Sequence, residues 1–263
     1  MNGALVAPPS ANLAPAASVS WSVGSADPTY PVTNIITLDP SLVAKTVSAG
    51  SATLAATLGG GATALQGVAL INTNLRGRTL TLSNGAGLSV ARVVPSPEDG
   101  LGVNVYWDLR GASSASASWS IAITGATAPI AIGTLVLVST WTLLRVRWEW
   151  ELGDVFPVIE HRTSYGARLQ YRIPVRTRKY SALAFAAEQR NLVRQIAREA
   201  YGSVTPWPLV PDYEDDAVLL VQFVPTEHPE THVFGRGRFD NGTATGIVNR
   251  RLELEEVNAG VAL

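Results

Sequence analysis

A mainly β protein in two parts, the second carrying one α-helix, is what this 263-residue sequence predicts. Three observations carry the prediction. Short apolar-alternating segments separated by glycine and asparagine turns fill the first half, as in a sandwich or jelly roll. Charge shifts sharply along the chain: up to Thr140 the only basic residues are Lys45, Arg76, Arg78, Arg92 and Arg110, against Asp27, Asp39, Glu98, Asp99 and Asp108. A single stretch near residues 187–201 has helical period, with Leu192, Val193, Ile196 and Ala200 on one face and Arg190, Arg194 and Arg198 stepping by four along another.

The boundaries follow from these signals. Residues 1–17, rich in proline and alanine, read as a loose N-terminal arm, 18–141 as the sandwich, and 142–263 as the helix-bearing domain. In the sandwich, strands are expected over 18–23, 52–58, 67–72, 78–83, 88–94, 103–109 and 118–124, with turns at Gly59-Gly60-Gly61, Asn84-Gly85 and Asp99-Gly100. Residues 30–40 read as a loop, because Pro31 and Pro40 push their predecessors toward extended geometry. The apolar run 129–144 is β-branched and broken by Gly133, Ser139, Thr140 and Thr142, so it predicts buried strands rather than a membrane span.

In the second part, Thr142, Leu144, Val146, Trp148, Trp150 and Leu152 share one side of a strand, with Arg145, Arg147, Glu149 and Glu151 on the other. Residues 168–176 alternate likewise, and Pro174 places them at an edge or a bulge. Gly202, Pro206 and Pro208 end the helix. Residues 217–224 form a continuous apolar, buried strand, and 247–257 close the domain after a turn at Asp240-Asn241-Gly242.

Composition excludes several classes. A net charge of -1 gives no general electrostatic case for nucleic-acid binding, and the absence of cysteine removes disulfides and thiolate metal sites. His228 and His232 flank Glu230, but Pro229 opposes a helical metal motif, so a surface turn is the better reading. Glu214, Asp215 and Asp216 lack the spaced oxygens of a calcium loop, and Glu98 and Asp99 sit in a turn rather than across a cleft. No nucleophile elbow or phosphate-cradling loop is present. The expectation is a non-enzyme with no catalytic residue, cofactor or metal.

Two resemblances add to this reading. The segments Tyr30-Pro31-Val32-Thr33-Asn34-Ile35, Gly67-Val68-Ala69-Leu70-Ile71-Asn72-Thr73-Asn74-Leu75 and Ile132-Gly133-Thr134-Leu135-Val136-Leu137 resemble successive strands of galactose-binding-like (discoidin-type) sandwiches found in bacteriophage minor tail proteins, although Asn72-Thr73-Asn74-Leu75 lacks that family's histidine. Tyr180-Ser181-Ala182-Leu183-Ala184-Phe185, the helix, Trp207-Pro208-Leu209 and Leu252-Glu253-Leu254-Glu255-Glu256-Val257 resemble the tube-forming β-sandwich domain of phage tail and distal tail proteins.

The second resemblance implies a structural protein of the virion tail tip or baseplate, made in the host bacterial cytoplasm. It would join copies of itself in a ring, a hexamer by family resemblance, beside tube, hub and tape-measure proteins, with DNA only as passing cargo and no membrane insertion. Arg172, Arg176, Arg190, Arg194, Arg198, Glu253 and Glu255 are then candidate subunit contacts, where guanidinium–carboxylate pairs would set register; the other reading of the Arg190, Arg194 and Arg198 stripe is an exposed, solvated helix face. Arg172 and Arg176, with Arg178 and Lys179, are alternatively candidates to line a lumen. The competing function is a carbohydrate-binding module for bacterial surface glycans, with Tyr106, Trp107 and Trp119 as candidate sugar contacts.

Overall fold

The computed structural model describes residues 3–21, 26–39, 42–96, 102–112, 114–155, 158–162, 168–172, 177–186, 190–201, 205–211, 218–223 and 247–256. Strand β1 (Gly3–Val6) opens the chain. Two 3-10 turns, Pro9–Ala11 and Ala14–Ala16, lead from it into the sandwich.

The sandwich comprises β2 (Ala17–Trp21), β3 (Ala44–Lys45), β4 (Gly50–Leu58), β5 (Gly67–Thr73), β6 (Thr79–Asn84), β7 (Ser89–Val93), β8 (Val103–Asp108), β9 (Ser118–Ala126) and β10 (Ala131–Val138). These form a five-stranded sheet, β2-β4-β9-β6-β7, facing a four-stranded sheet, β3-β10-β5-β8, with antiparallel pairing in both. Every sandwich strand expected from the alternation is present. Between the sheets, Leu54, Leu80, Leu82, Trp119 and Ile121 pack against Val68, Leu70, Val105, Trp107, Leu135 and Leu137 in one continuous core.

Residues 30–39 depart from the irregular loop expected there. Pro31, in extended geometry, caps a 3-10 turn over Val32–Ile36. The Asn34 N–H donates to the Pro31 carbonyl, its side-chain amide donates to the Val43 carbonyl, and Ile35 is fully buried. A proline thus supplies the start of a turn that the next apolar side chain anchors.

The second part contains β11 (Thr142–Val155), β12 (Val158–Arg162), β13 (Arg168–Arg172), β14 (Thr177–Ala186), helix α1 (Arg190–Tyr201), β15 (Trp207–Val210), β16 (Leu219–Phe223) and β17 (Ile247–Glu256). Where a second sandwich is expected, the strands close into a barrel of order β1-β11-β14-β17-β16-β15, and among the described residues β12 pairs only with β13 in a separate two-stranded sheet. The helix lies within the expected range. Ile196 and Ala200 are buried as the periodicity requires, and Gln195 donates to Glu199 one turn on. Val218 to Leu220 and Val221 are buried, as the continuous apolar run implies.

The N-terminal arm is a correction. Residues 3–6 are not loose: Gly3 to Val6 pair with Arg145 to Thr142 of β11 on one side, and Leu5 and Val6 pair with Val210 and Leu209 of β15 on the other. Without β1 the barrel would have two open strand edges, and edge closure is the physical reason for its docking. Because β1 and β11 are adjacent antiparallel strands, the whole sandwich is inserted between two neighbouring barrel strands. Its entry and exit are tied together: Asn12 bridges to Val138, the Leu13 N–H donates to the Leu137 carbonyl, and the Asn12 side-chain oxygen accepts from Leu137 N–H.

The four-stranded sheet is therefore the middle of three layers. Its second face, through Ala69, Ile71, Tyr106, Val136 and Val138, packs against Leu5, Ala7, Trp141, Val210, Val218 and Leu220. Tyr106 and Trp141 meet edge to face, with ring centroids 6.0 Å apart. At Gly67 any Cβ would collide with the Trp141 indole, so glycine is needed for this contact.

Candidate functional site

The three aromatics expected at a sugar platform are core residues. Tyr106, Trp107 and Trp119 are 4%, 0% and 3% exposed, and the Trp107 and Trp119 indoles donate to the carbonyls of Val90 and Ser116. Their alternating positions point inward or against the barrel, which excludes sugar stacking on them.

A different site is built at the end of the sandwich formed by the β5–β6 and β9–β10 turns. It begins with a break in pairing. The β5–β8 register shifts between Leu70 and Thr73, and Asn72 takes a left-handed φ of 54°. Asparagine tolerates that conformation better than most side chains. Asn104 holds it: its Oδ1 accepts the Asn72 N–H at 2.9 Å, while its Nδ2 donates to the Val218 carbonyl of the barrel at 2.9 Å. Gly102 lies against the Asn72 amide with no space for a Cβ.

Beyond the break, Asn74 copies a strand residue. Its Oδ1 accepts from Ala131 N–H at 3.0 Å and its Nδ2 donates to the Pro129 carbonyl at 2.8 Å, which pins the β9–β10 turn. Leu75 is buried, and the chain reverses through Gly77 at φ 65°. This tight turn places Arg76 and Arg78 on the same half-buried rim. Arg78 Nη2 donates to Thr127 Oγ1 at 3.0 Å. The result is a pocket of about 230 Å3 lined by Asn74, Arg76, Arg78, Ala126, Thr127 and Ala128, together with Leu75.

The same end carries an exposed aromatic. Tyr30 is 37% exposed, and the Lys45 ammonium lies 4.5 Å from its ring centroid. Lys45 pairs with Ala131 from the β3 side of β10, whereas Asn74 binds Ala131 from the β5 side. The backbones that carry Lys45 and Asn74 thus lie on opposite sides of Ala131, about two strand spacings, roughly 10 Å, apart. By contrast, the gap of about 10 Å3 between the sheets, lined by residues such as Leu54, Val68 and Leu135, is an apolar packing void.

The other expected site residues are dispersed. Arg172 ends β13 opposite Val158, and Arg176 lies outside the described residues. Arg190 opens α1, Arg194 is half-buried and Arg198 is exposed in the last turn. Register sets Glu253 across from Ser181 and Glu255 across from Lys179, with Glu151 on the far side of Lys179. The weak metal candidates His228, His232 and Glu214 to Asp216, and the carboxylate pair Glu98 and Asp99 weighed for glycoside hydrolysis, lie outside the described residues. Among the described residues no group of three His, Asp or Glu side chains could hold a metal ion, and no helix is long and apolar enough to cross a membrane.

No protein-family model matches the sequence, and no curated protein matches it. Solved structures do. A Streptococcus pneumoniae fucose-binding module, SpX-3, superposes with a TM-score of 0.40 at 14% identity over 49% of this chain and 98% of that one. The lectin domain of lectinolysin, complexed with Lewis B antigen, gives 0.40 at 15% identity over 49% and 96%. The family 32 carbohydrate-binding module of Clostridium perfringens NanJ, complexed with galactose, gives 0.39 at 14% identity over 51% and 98%. A likeness this faint assigns neither family nor ligand to the present chain.

Proposed function

We propose that the chain is a glycan-recognition module, a galactose-binding-like sandwich mounted on a β-barrel, that binds bacterial surface saccharide at the β5–β6 end. The observation that carries this reading is the 230 Å3 pocket with Asn74, Arg76, Arg78 and Thr127 on its lining. Fixed polar side chains around a small open concavity are what recognition of a hydroxylated ligand requires. The pocket is also prepaid in order: its turns are held by Asn74, Leu75 and the Asn72–Asn104 pair, so little backbone entropy is lost on binding.

The test is a glycan array probed with the full chain and with Arg78→Gln. Saccharide binding that weakens on substitution supports the reading; binding unchanged by Arg78→Gln moves recognition elsewhere.

A second reading is favoured by a separate observation. The β11–β14 ladder leads into the β12–β13 hairpin, whose outer edges have no strand partner among the described residues. Open edges are templates for pairing with another chain. This supports a non-enzymatic structural subunit of a phage tail tip or baseplate, closed by copies of itself into a ring, with the sandwich displayed outward. Arg172 and the Arg190, Arg194, Arg198 stripe would then meet carboxylates of a neighbour. Electron microscopy of the purified chain and of virions tests it: rings at the tail tip support the reading, and a monomer at high concentration, absent from tails, counts against it.

A further inference from the structure

We infer that the barrel sets the geometry of the pocket through one side chain, Asn104, which acts as a positioning residue; its consequence for binding rests on the glycan-binding reading above. The core residues of β5 show why the pocket needs to be held. Val68, Leu70 and Leu75 all pack between the two sheets of the sandwich, whereas Ala69 and Ile71 face the barrel. In an unbroken strand Leu70 and Leu75, an odd number of residues apart, would lie on opposite faces. The alternation is inverted once between them. Leu70 pairs with Val105 and Thr73 with Val103, so Ile71 and Asn72 together oppose the single residue Asn104. This is a β-bulge, and Asn72 at φ 54° is its left-handed residue.

The β5–β6 wall of the pocket lies downstream of that inversion. With Leu75 seated in the core, Asn74 is set beside β10, where its N–H donates to the Ala131 carbonyl and its side chain binds Ala131 N–H and the Pro129 carbonyl. A slip of one residue at the bulge would turn Leu75 out and Asn74 in, and the β9–β10 turn would lose its pin. The bulge itself is held from the barrel. Val103 and Val105 face the sandwich core, so Asn104 between them faces the barrel, as Tyr106 does. Its Oδ1 accepts the Asn72 N–H at 2.9 Å, and its Nδ2 donates to the Val218 carbonyl, just ahead of β16, at 2.9 Å. One planar amide thus has its acceptor end on the bulge and its donor end on the barrel, and turning it over would lose both bonds. A left-handed residue other than glycine persists only where its surroundings hold it. A shift of Val218 is therefore passed to Asn72 and on to Asn74, and order imposed on the pocket by a ligand is returned to Val218, because such coupling is reciprocal.

The experiment compares the full chain with Asn104→Ala and Asn104→Asp by amide hydrogen exchange. Asn104→Ala removes both bonds. Asn104→Asp keeps an oxygen to accept the Asn72 N–H and replaces the donor that reaches Val218, so it cuts the barrel link alone and suffices if Asn104→Ala does not fold. Two β10 amides serve as reporter and reference, since both donate to asparagine side chains: Ala131 to Asn74 at the pocket, and Leu137 to Asn12 where the chain enters and leaves the sandwich. Both variants are expected to speed exchange at Ala131 by about tenfold or more while Leu137 stays within about twofold. A loss of overall stability would speed both amides alike, so their ratio isolates the pocket. On the glycan array, saccharides held by the wild-type chain are expected to weaken about tenfold or more with Asn104→Asp. Exchange at Ala131 that Asn104→Asp leaves unchanged, or speeds no more than at Leu137, overturns the role of the barrel. Undiminished saccharide binding by a variant whose Ala131 amide has been loosened overturns it too. If the folded wild-type chain binds no saccharide, the glycan reading falls by itself, and the exchange ratio still decides the coupling.

Discussion

The two sheets of the sandwich are built from similar residues yet follow different rules. In the five-stranded sheet, β4 and β9 alternate between buried and accessible residues, and β7 has its even positions half-buried at best. In the four-stranded sheet, β5 and β10 are buried at every position. One sheet has a solvent face; the other is covered by its partner sheet on one side and by barrel residues such as Leu5, Val210 and Leu220 on the other. The alternation of a strand therefore reports how many of its faces are covered, and a continuous apolar run marks a central layer.

Four substitutions test that contrast, in falling order of effect. Trp107→Ala empties the core side of the middle sheet, and a loss of about 3–5 kcal/mol is expected in urea denaturation. Asn104→Ala leaves the Asn72 N–H and the Val218 carbonyl without their bridge. The expected cost is about 1–3 kcal/mol, with faster amide exchange around Asn72 in hydrogen-exchange measurements.

Glu199→Gln tests a tie between helix and N-terminal segment. Burial pushes the Glu199 carboxyl up, but the Ser10 N–H and the Gln195 amide favour the ionised form more strongly and leave it below the ordinary value of 4.5. A carboxyl held low stabilises the fold above its unfolded pKa, and that contribution disappears as pH falls through the lower folded value. Wild-type stability should thus drop below about pH 4.5 by an increment absent from Glu199→Gln, under about 1 kcal/mol since the group is accessible to solvent. Thermal melts at several pH values read the difference. Last, Val93→Thr alters a residue 64% exposed on the edge strand of the outer sheet, and should change stability by no more than about 0.5 kcal/mol. An effect as large as that of Trp107→Ala would mean that this sheet is covered too.

Much of the fold was legible because it is local. Strands such as 52–58 and 118–124 announce themselves by period-2 alternation, and α1 by Ile196 and Ala200 at helical spacing. What was not legible depends on distant partners. Gly3 to Val6 show neither alternation nor length, and become a strand only through Thr142 to Arg145 and Val210. Tyr106 and Trp107 are successive residues on opposite faces of β8, which reads as one exposed face until the barrel covers it. At the candidate site, Thr127 reaches Arg78 from 49 residues away. One signal was present: two of the five basic residues before Thr140 are Arg76 and Arg78, an Arg-Gly-Arg turn shortly after the apolar run Val68 to Ile71.

The joined entry and exit of the sandwich have a genetic consequence. Asn12 and Val138 lie side by side, and Val6 is already opposite Thr142. The intervening segment can in principle be exchanged for another with neighbouring ends, or replaced by a tight turn, without rethreading the barrel. Such an architecture lets the sandwich diversify as a cassette while the mounting stays the same.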